Sequence, residues 1–218
     1  RGPIRSSVYP HLVNDPVTDR QSQDPQLIVE DVVTALTGEV EAILDDEEAR
    51  VRGVIGPIVF GMDGANMESV VLDELVAQGL TLATAESLTG GLIGSRLTDV
   101  PGSSRAFRGS VVAYAGDVKR QLLGVPEGPV VSEEAVSAMA TGVCRVLGAD
   151  VSVAVTGVAG PGPQDGQEPG TVWMATCVDG EVEAVRVLFP FDRVRTRQFT
   201  VISVLNLLRL RLEARRGG

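Results

Sequence analysis

Apolar and polar positions change their rhythm twice along this chain. Residues 27–50 place apolar side chains at helical spacing, with one glycine interrupting them and acids on the outer face. That pattern predicts one or two solvent-exposed helices. The run VRGVIGPIVFG at 51–61 predicts a strand broken by Gly and Pro. MESVVLDELVAQ at 67–78 predicts an amphipathic helix stopped by Gly79.

From Leu80 strands and helices alternate. LTLATAE (80–86) predicts a short strand, and TGGLIGSRLTDV (89–100) a glycine-led helix. PGSS (101–104) turns the chain into a strand at SVVAYA (110–115), followed by a short helix at VKRQLLG (118–124). A longer helix spans 132–148, with Ser132 as N-cap and Glu133 and Glu134 in the favourable first turn. VSVAVTG (151–157) is an apolar strand that runs into a Gly-Pro loop at 158–170. Residues 171–180 and 181–189 predict a hairpin joined at Asp179-Gly180, and residues 193–216 a closing helix. Interleaved helices and apolar strands imply a three-layer α/β/α sandwich. The late hairpin makes its largely parallel sheet mixed. The expected organisation is a disordered tail at 1–26, a helical and strand linker at 27–66, and an α/β domain at 67–216.

Composition narrows the chemistry. The 218 residues carry a net charge of −10, of which residues 1–66 contribute −7. No basic stripe with interleaved aromatics is present, so a nucleic-acid groove is not expected. No apolar run reaches membrane-spanning length and the polar N-terminus resembles no signal peptide, so a soluble, cytoplasmic protein is expected. Cys144 and Cys177 stand far apart without a CxxC pair and read as core residues. The single histidine, His11, sits in a Pro-, Ser- and Asp-rich stretch without periodicity. A histidine-based triad, a Cys-His dyad or a histidine-ligated metal is therefore not expected, and a general base must be a carboxylate, a lysine or a tyrosine.

Three stretches carry candidate chemistry. In TAESLTGG (84–91) a strand ends and a glycine-led helix begins, which puts Ser87 at the carboxyl edge of the sheet. The free N–H groups of that helix start offer an anion or oxyanion site; the alternative is that Ser87 or Thr89 merely caps the helix. In the second stretch, Lys119 is the only lysine among 19 basic residues and lies five positions after Tyr114. A partly buried lysine with a lowered pKa can deprotonate a serine, whereas arginine cannot; the alternative is an ordinary surface lysine. In the third, the loop 158–170 either brings backbone N–H groups against a ligand or simply connects two strands. Asp165 and Glu168 in it read as solvated charges.

Taken together, these motifs resemble the CinA family, in its C-terminal nicotinamide-nucleotide amidase domain, over residues 67–213. The resemblance rests on AESLTGG (85–91), LTDVPGSS (97–104), VAYAGDVK (112–119), VSEEA (131–135), TGVAGP (156–161) and PGTVW (169–173). It implies a cytoplasmic amidohydrolase that converts nicotinamide mononucleotide to nicotinic acid mononucleotide and ammonia, without a metal or organic cofactor. It also implies a homo-oligomer, with a small nucleotide as substrate and no nucleic-acid or membrane partner. Ser87 falls on the family's nucleophile, and Tyr114 and Lys119 on its tyrosine and lysine partners. Thr89, Gly90, Gly91, Gly157, Ala159, Gly160, Gly170 and Thr171 are expected to bind substrate through the helix start and the Gly-Pro loop. Arg105 and Arg108 are further candidates for the phosphate.

The chain departs from the family pattern at Leu88, where a cysteine is common, and at Gly116, where asparagine is usual. Phe191-Asp192-Arg193 replaces a Gly-Asp-Arg run. Residues 1–66 are too short for the large N-terminal domain of long family members, so no second activity is expected. A catalytically silent interaction module using the acidic N-terminal segment, or an amidase for another small amide, are the alternatives.

Overall fold

The computed structural model describes residues 33, 34, 36–40, 42 and 66–217, and the chain divides into two units, Arg1–Val59 and Phe60–Gly218. In the first unit the described residues are helical, as their apolar spacing predicts, and Val33, Leu36 and Val40 are exposed. The expected tail at 1–26, the strand at 51–61 and His11 lie outside the described residues.

The described residues of the second unit form five strands and five α-helices. Its elements run α1 (Met67–Ala77), β1 (Leu82–Glu86), α2 (Leu92–Thr98), β2 (Phe107–Val112), α3 (Gly116–Leu123), α4 (Glu133–Leu147), β3 (Val151–Gly157), β4 (Thr171–Val178), β5 (Glu181–Leu188) and α5 (Arg193–Gly217). One 3-10 turn, Ser103–Arg105, leads into β2. The sheet order is β2-β1-β3-β4-β5, parallel from β2 through β3 and antiparallel at both ladders of β4. Four strands thus share one direction, and β4 alone opposes them. This is the expected mixed α/β sandwich.

Strand alternation sends side chains to two separate cores. Leu82, Val151, Val153, Val155, Val172 and Met174 meet α1, α2 and α5 on one face, where Leu75, Ile93, Leu97, Val204, Leu205 and Leu208 are buried. Ala83, Ala85, Ala154, Ala175 and Cys177 face α3 and α4 on the other, against Leu123, Val136, Met139 and Val143. Small strand residues on that second face let α4 approach closely. At Gly142, α4 also meets the end of α3, where a β-carbon would run into the carbonyl of Leu123. Both cysteines are free: Cys177 is buried, as expected of a core residue, while Cys144 is only half-buried. Burial pushes the Cys144 thiol up to about 11.

The caps follow the sequence. Asn66 accepts a hydrogen bond from Ser69 N (2.8 Å) at the start of α1, and Ser132 accepts one from Ala135 N (3.1 Å) at the start of α4. The β4–β5 hairpin turns on Asp179 and Gly180, both at positive φ (53° and 81°), as an Asp-Gly turn should. The edge strand β5 presents Glu181, Glu183 and Arg186 to solvent, charges that discourage further strand pairing. Where the boundaries differ, neighbouring structure decides. β2 begins at Phe107 rather than 110 because its early residues pair with Leu82 and Ala83 of β1. α2 begins only at Leu92 because Gly90 and Gly91 are left-handed (φ 60° and 94°). From β1 the chain crosses to β2 on one side, and β3 lies on the other. A crevice therefore opens at the carboxyl ends of β1 and β3.

Candidate active site

Ser87 is the first residue past β1. Its N–H donates to Val155 O (3.1 Å), which extends the ladder with β3 by one residue and leaves Ser87 at the crevice, almost buried. Its carbonyl accepts from Gly90 N (3.0 Å), closing the turn. α2 then follows Gly91, its N-cap residue, which has no side chain with which to cap it.

The cap comes from Glu86, which is fully buried. Its Oε2 accepts from Gly91 N (2.9 Å) and Ile93 N (3.0 Å), and its Oε1 from Gly94 N (2.8 Å) and Ser110 Oγ (3.0 Å). An anion at a helix N-terminus is the arrangement that orphan N–H groups and the helix dipole favour. Here the protein supplies that anion itself. The helix start at Gly90–Gly91, expected to hold a ligand, is therefore already occupied, and Thr89, Gly90 and Gly91 do not line the cleft.

The cleft has a volume of about 240 Å³ and brings Ser87, Leu88, Tyr114 and Lys119 together with Gly157, Ala159, Gly160 and Arg193. Two other expected binding residues fall behind it. Gly170 N donates to Val158 O (2.7 Å), its carbonyl accepts from Phe189 N (2.9 Å), and a β-carbon would strike the Phe189 carbonyl. Thr171, buried, accepts from Val158 N (2.8 Å) through its carbonyl. Both residues pin the loop rather than face a ligand. Arg105 and Arg108 lie beside Thr81 in a separate groove at the opposite, amino ends of β1 and β2, so they do not serve the phosphate of a ligand at Ser87. Arg108 Nε instead donates to Leu147 O (2.8 Å) at the end of α4.

Lys119 sits in the first turns of α3 and is 2% exposed. Among the described residues its ammonium makes no hydrogen bond and no ion pair. Burial lowers its pKa, the Asp165 carboxylate raises it in partial opposition, and Arg120 lowers it again. Asp165, expected to be merely solvated, also accepts a hydrogen bond from Val130 N (3.0 Å), and Thr156 Oγ1 donates to Val130 O (2.7 Å). Glu168 is exposed, as expected. The departure at Gly116 has a local account: a β-carbon would lie 3.2 Å from Arg120 Nη1, so the arginine packs over the space that a longer side chain would take.

Tyr114 is 60% exposed at the mouth of the cleft, and its hydroxyl accepts from Arg193 Nη2 (2.9 Å). Arg193 Nη1 donates to Gly160 O (3.1 Å). One guanidinium thus joins the tyrosine to the Gly-Pro loop. The sequence motifs alone assign no role to Glu86 or Arg193. The signal for Glu86 was a helix start of two glycines without any capping side chain. For Arg193 it was a cation opening a helix that follows directly on the last strand. Chemically, the site pairs a serine hydroxyl with a buried amine of lowered pKa, and a tyrosine and an arginine stand at its rim.

Residues 64–212 match the family model described as the CinA C-terminal domain. A CinA-like protein of Frankia casuarinae is 45% identical over 176 residues, covering 78% of this chain and 41% of that protein. A CinA-like protein of Akkermansia muciniphila is 44% identical over 183 residues, covering 81% of this chain and 44% of its own length. The chain thus spans less than half the length of these curated relatives. Among solved structures, a competence-damaged protein (CinA) superfamily protein from Klebsiella pneumoniae matches with a TM-score of 0.65 and 32% identity, covering 69% of this chain and 99% of that one. The competence/damage inducible protein CihA from Agrobacterium tumefaciens matches with a TM-score of 0.63 and 33% identity, over 70% and 99%.

Proposed function

The chain belongs to the CinA C-terminal domain family, and from that premise we propose that it is a serine amidohydrolase converting nicotinamide mononucleotide to nicotinic acid mononucleotide and ammonia. The observation that carries this reading is the only lysine of the chain, buried without a hydrogen-bonding partner among the described residues in the same small cleft as Ser87.

In this reading neutral Lys119 takes the Ser87 hydroxyl proton as Oγ adds to the amide carbon. The tetrahedral intermediate collapses with cleavage of the C–N bond, and Lys119 returns the proton to the departing nitrogen as ammonia. Water then adds to the acyl ester, again losing its proton to Lys119. The C–O bond to Ser87 breaks, the proton returns to Oγ, and the acid is released. Lowering of the Lys119 pKa supports the role, because a larger fraction is unprotonated at neutral pH. Tyr114 assists at the mouth: its oxygen accepts from Arg193, which leaves the phenolic proton to donate to the substrate or to Lys119.

The cleft volume of about 240 Å³ suits the pyridine carboxamide end of the substrate. The phosphate then lies at the rim, where Arg193 is the arginine among the lining residues. This takes the place of Arg105 and Arg108 in the phosphate role. The homo-oligomer and the cytoplasmic location implied by the family resemblance belong to the same proposal; no helix among the described residues is long and apolar enough to cross a membrane.

The test is ammonia release from nicotinamide mononucleotide by the wild type and by Ser87→Ala. Release by the wild type that vanishes in the variant supports the reading. Persistence in the variant overturns the nucleophile. If the folded wild type instead releases ammonia only from smaller amides, the substrate is wrong and the amidase chemistry stands.

A further inference from the structure

The turn after Ser87 uses its backbone donors selectively. Gly90 N bonds Ser87 O, Gly91 N bonds Glu86, and Leu92 N bonds Thr89 O. The N–H groups of Leu88 and Thr89 donate to no acceptor among the described residues, although both residues are buried (4% and 0% exposed). Buried backbone N–H groups without a partner are rare, and of these two residues Leu88 lines the cleft, where an acceptor from outside the fold can reach it.

What holds this turn is Arg197, one helical turn after Arg193 on α5. Its Nε donates to Leu88 O (3.0 Å) and its Nη2 to Thr89 O (2.6 Å). In a trans peptide the C=O and N–H point in opposite directions. Drawing the Leu88 carbonyl onto Arg197 therefore turns the Thr89 N–H away from α5. Drawing the Thr89 carbonyl likewise sets the Gly90 peptide, whose N–H reaches back to Ser87 O. A planar fork is suited to two adjacent carbonyls, which an ammonium cannot span with the same geometry.

We propose that Arg197 is a positioning residue that pre-sets the Ser87–Leu88 peptide, so that the cleft-lining Leu88 N–H is the oxyanion donor for attack by Ser87. This rests on the amidase reading and sharpens it. Arg197 touches no reacting atom; it acts through the Thr89 carbonyl and the Gly90 N–H bond to Ser87 O, which aim the Leu88 N–H before substrate arrives. Such preorganised donors contribute to the transition state far more than to substrate binding.

The experiment compares Arg197→Met and Arg197→Lys with wild type by kcat and KM on nicotinamide mononucleotide. It also measures inhibition by the mononucleotide of pyridine-3-carbaldehyde, to whose carbonyl carbon Ser87 adds reversibly. Arg197→Met is expected to lower kcat about 100-fold, the scale of losing one oxyanion donor, with KM nearly unchanged. The aldehyde's affinity should weaken by a similar factor, and Arg197→Lys should recover part of both. Unchanged kcat, or a change confined to KM with aldehyde affinity intact, overturns the proposal. A second readout needs no turnover. Exchange of the Gly90 amide proton should accelerate in Arg197→Lys and Arg197→Met, and equal protection in all three proteins overturns the positioning role. A wild type inactive on the nucleotide but with faster Gly90 exchange in the variants would sink the substrate reading and leave the positioning role supported.

Discussion

Glu86 and Lys119 are both ionisable and both buried, one preceding Ser87 in the chain and the other sharing its cleft, yet their surroundings are opposite. Glu86 receives four hydrogen bonds, three from the start of α2 and one from Ser110. Lys119 makes none among the described residues and shares its cleft with Ser87 and the start of the Gly-Pro loop. A buried charge that is fully bonded is a structural element, whereas one left unbonded is held in readiness for a proton. The fold thus ties one side chain into the turn beside the nucleophile and leaves the other unbonded in the cleft.

Replacing the lysine breaks this contrast most severely. Lys119→Met keeps the stem and removes the base, and turnover should fall about 1,000-fold, the middle of the range for general-base loss. The sign of the stability effect is the opposite. Because the folded pKa is lowered, the unfolded chain binds more protons between the folded value and 10.5, so wild-type stability rises with pH through that window. Below the window Lys119 costs stability, and the Met variant should be the more stable there. Urea titrations at several pH values read this out. A variant equally or less stable at every pH would mean that the lysine is not under the strain assigned to it.

Glu86→Gln addresses the other charge. Glutamine presents an NH₂ group where the carboxylate had an acceptor, so at least one buried donor loses its partner. The expected cost is about 3 kcal/mol in denaturant unfolding, with activity lost as the turn shifts. A neutral substitution with intact stability would show that water or a neighbour replaces the missing acceptor.

Asp165→Asn is the mildest test, because the amide oxygen still accepts from Val130 N while the charge disappears. Without that charge, burial and Arg120 lower the Lys119 pKa further. The acidic limb of kcat/KM should then move to lower pH, with stability little changed. A limb that stays in place would separate Asp165 from the base altogether.

Most of the fold was legible because strand alternation and capping residues are local signals. Ser132 capped its helix, and Asp179-Gly180 turned its hairpin, where the residue types require. In the site, Ser87, Tyr114 and Lys119 were marked by residue scarcity and motif, and the fold brings them into one cleft. The ligand-facing glycines were less legible. A glycine-led helix start reads as an open anion site, and only the three-dimensional reach of Glu86 reveals that it is taken. Arg193 and Arg197 were hidden for a related reason: among 18 arginines, position along a helix does not say which ones reach across from residue 197 to residue 88.

That long reach sets an order of events during synthesis. Ser87, Tyr114 and Lys119 leave the ribosome with more than seventy residues still to come before Arg193 and Arg197. Until α5 docks through Val201, Val204, Leu205 and Leu208, the serine turn has no grip on its carbonyls and the tyrosine has no tether to the loop. The growing chain therefore carries its reactive groups in an unassembled form, and competence arrives with the final helix.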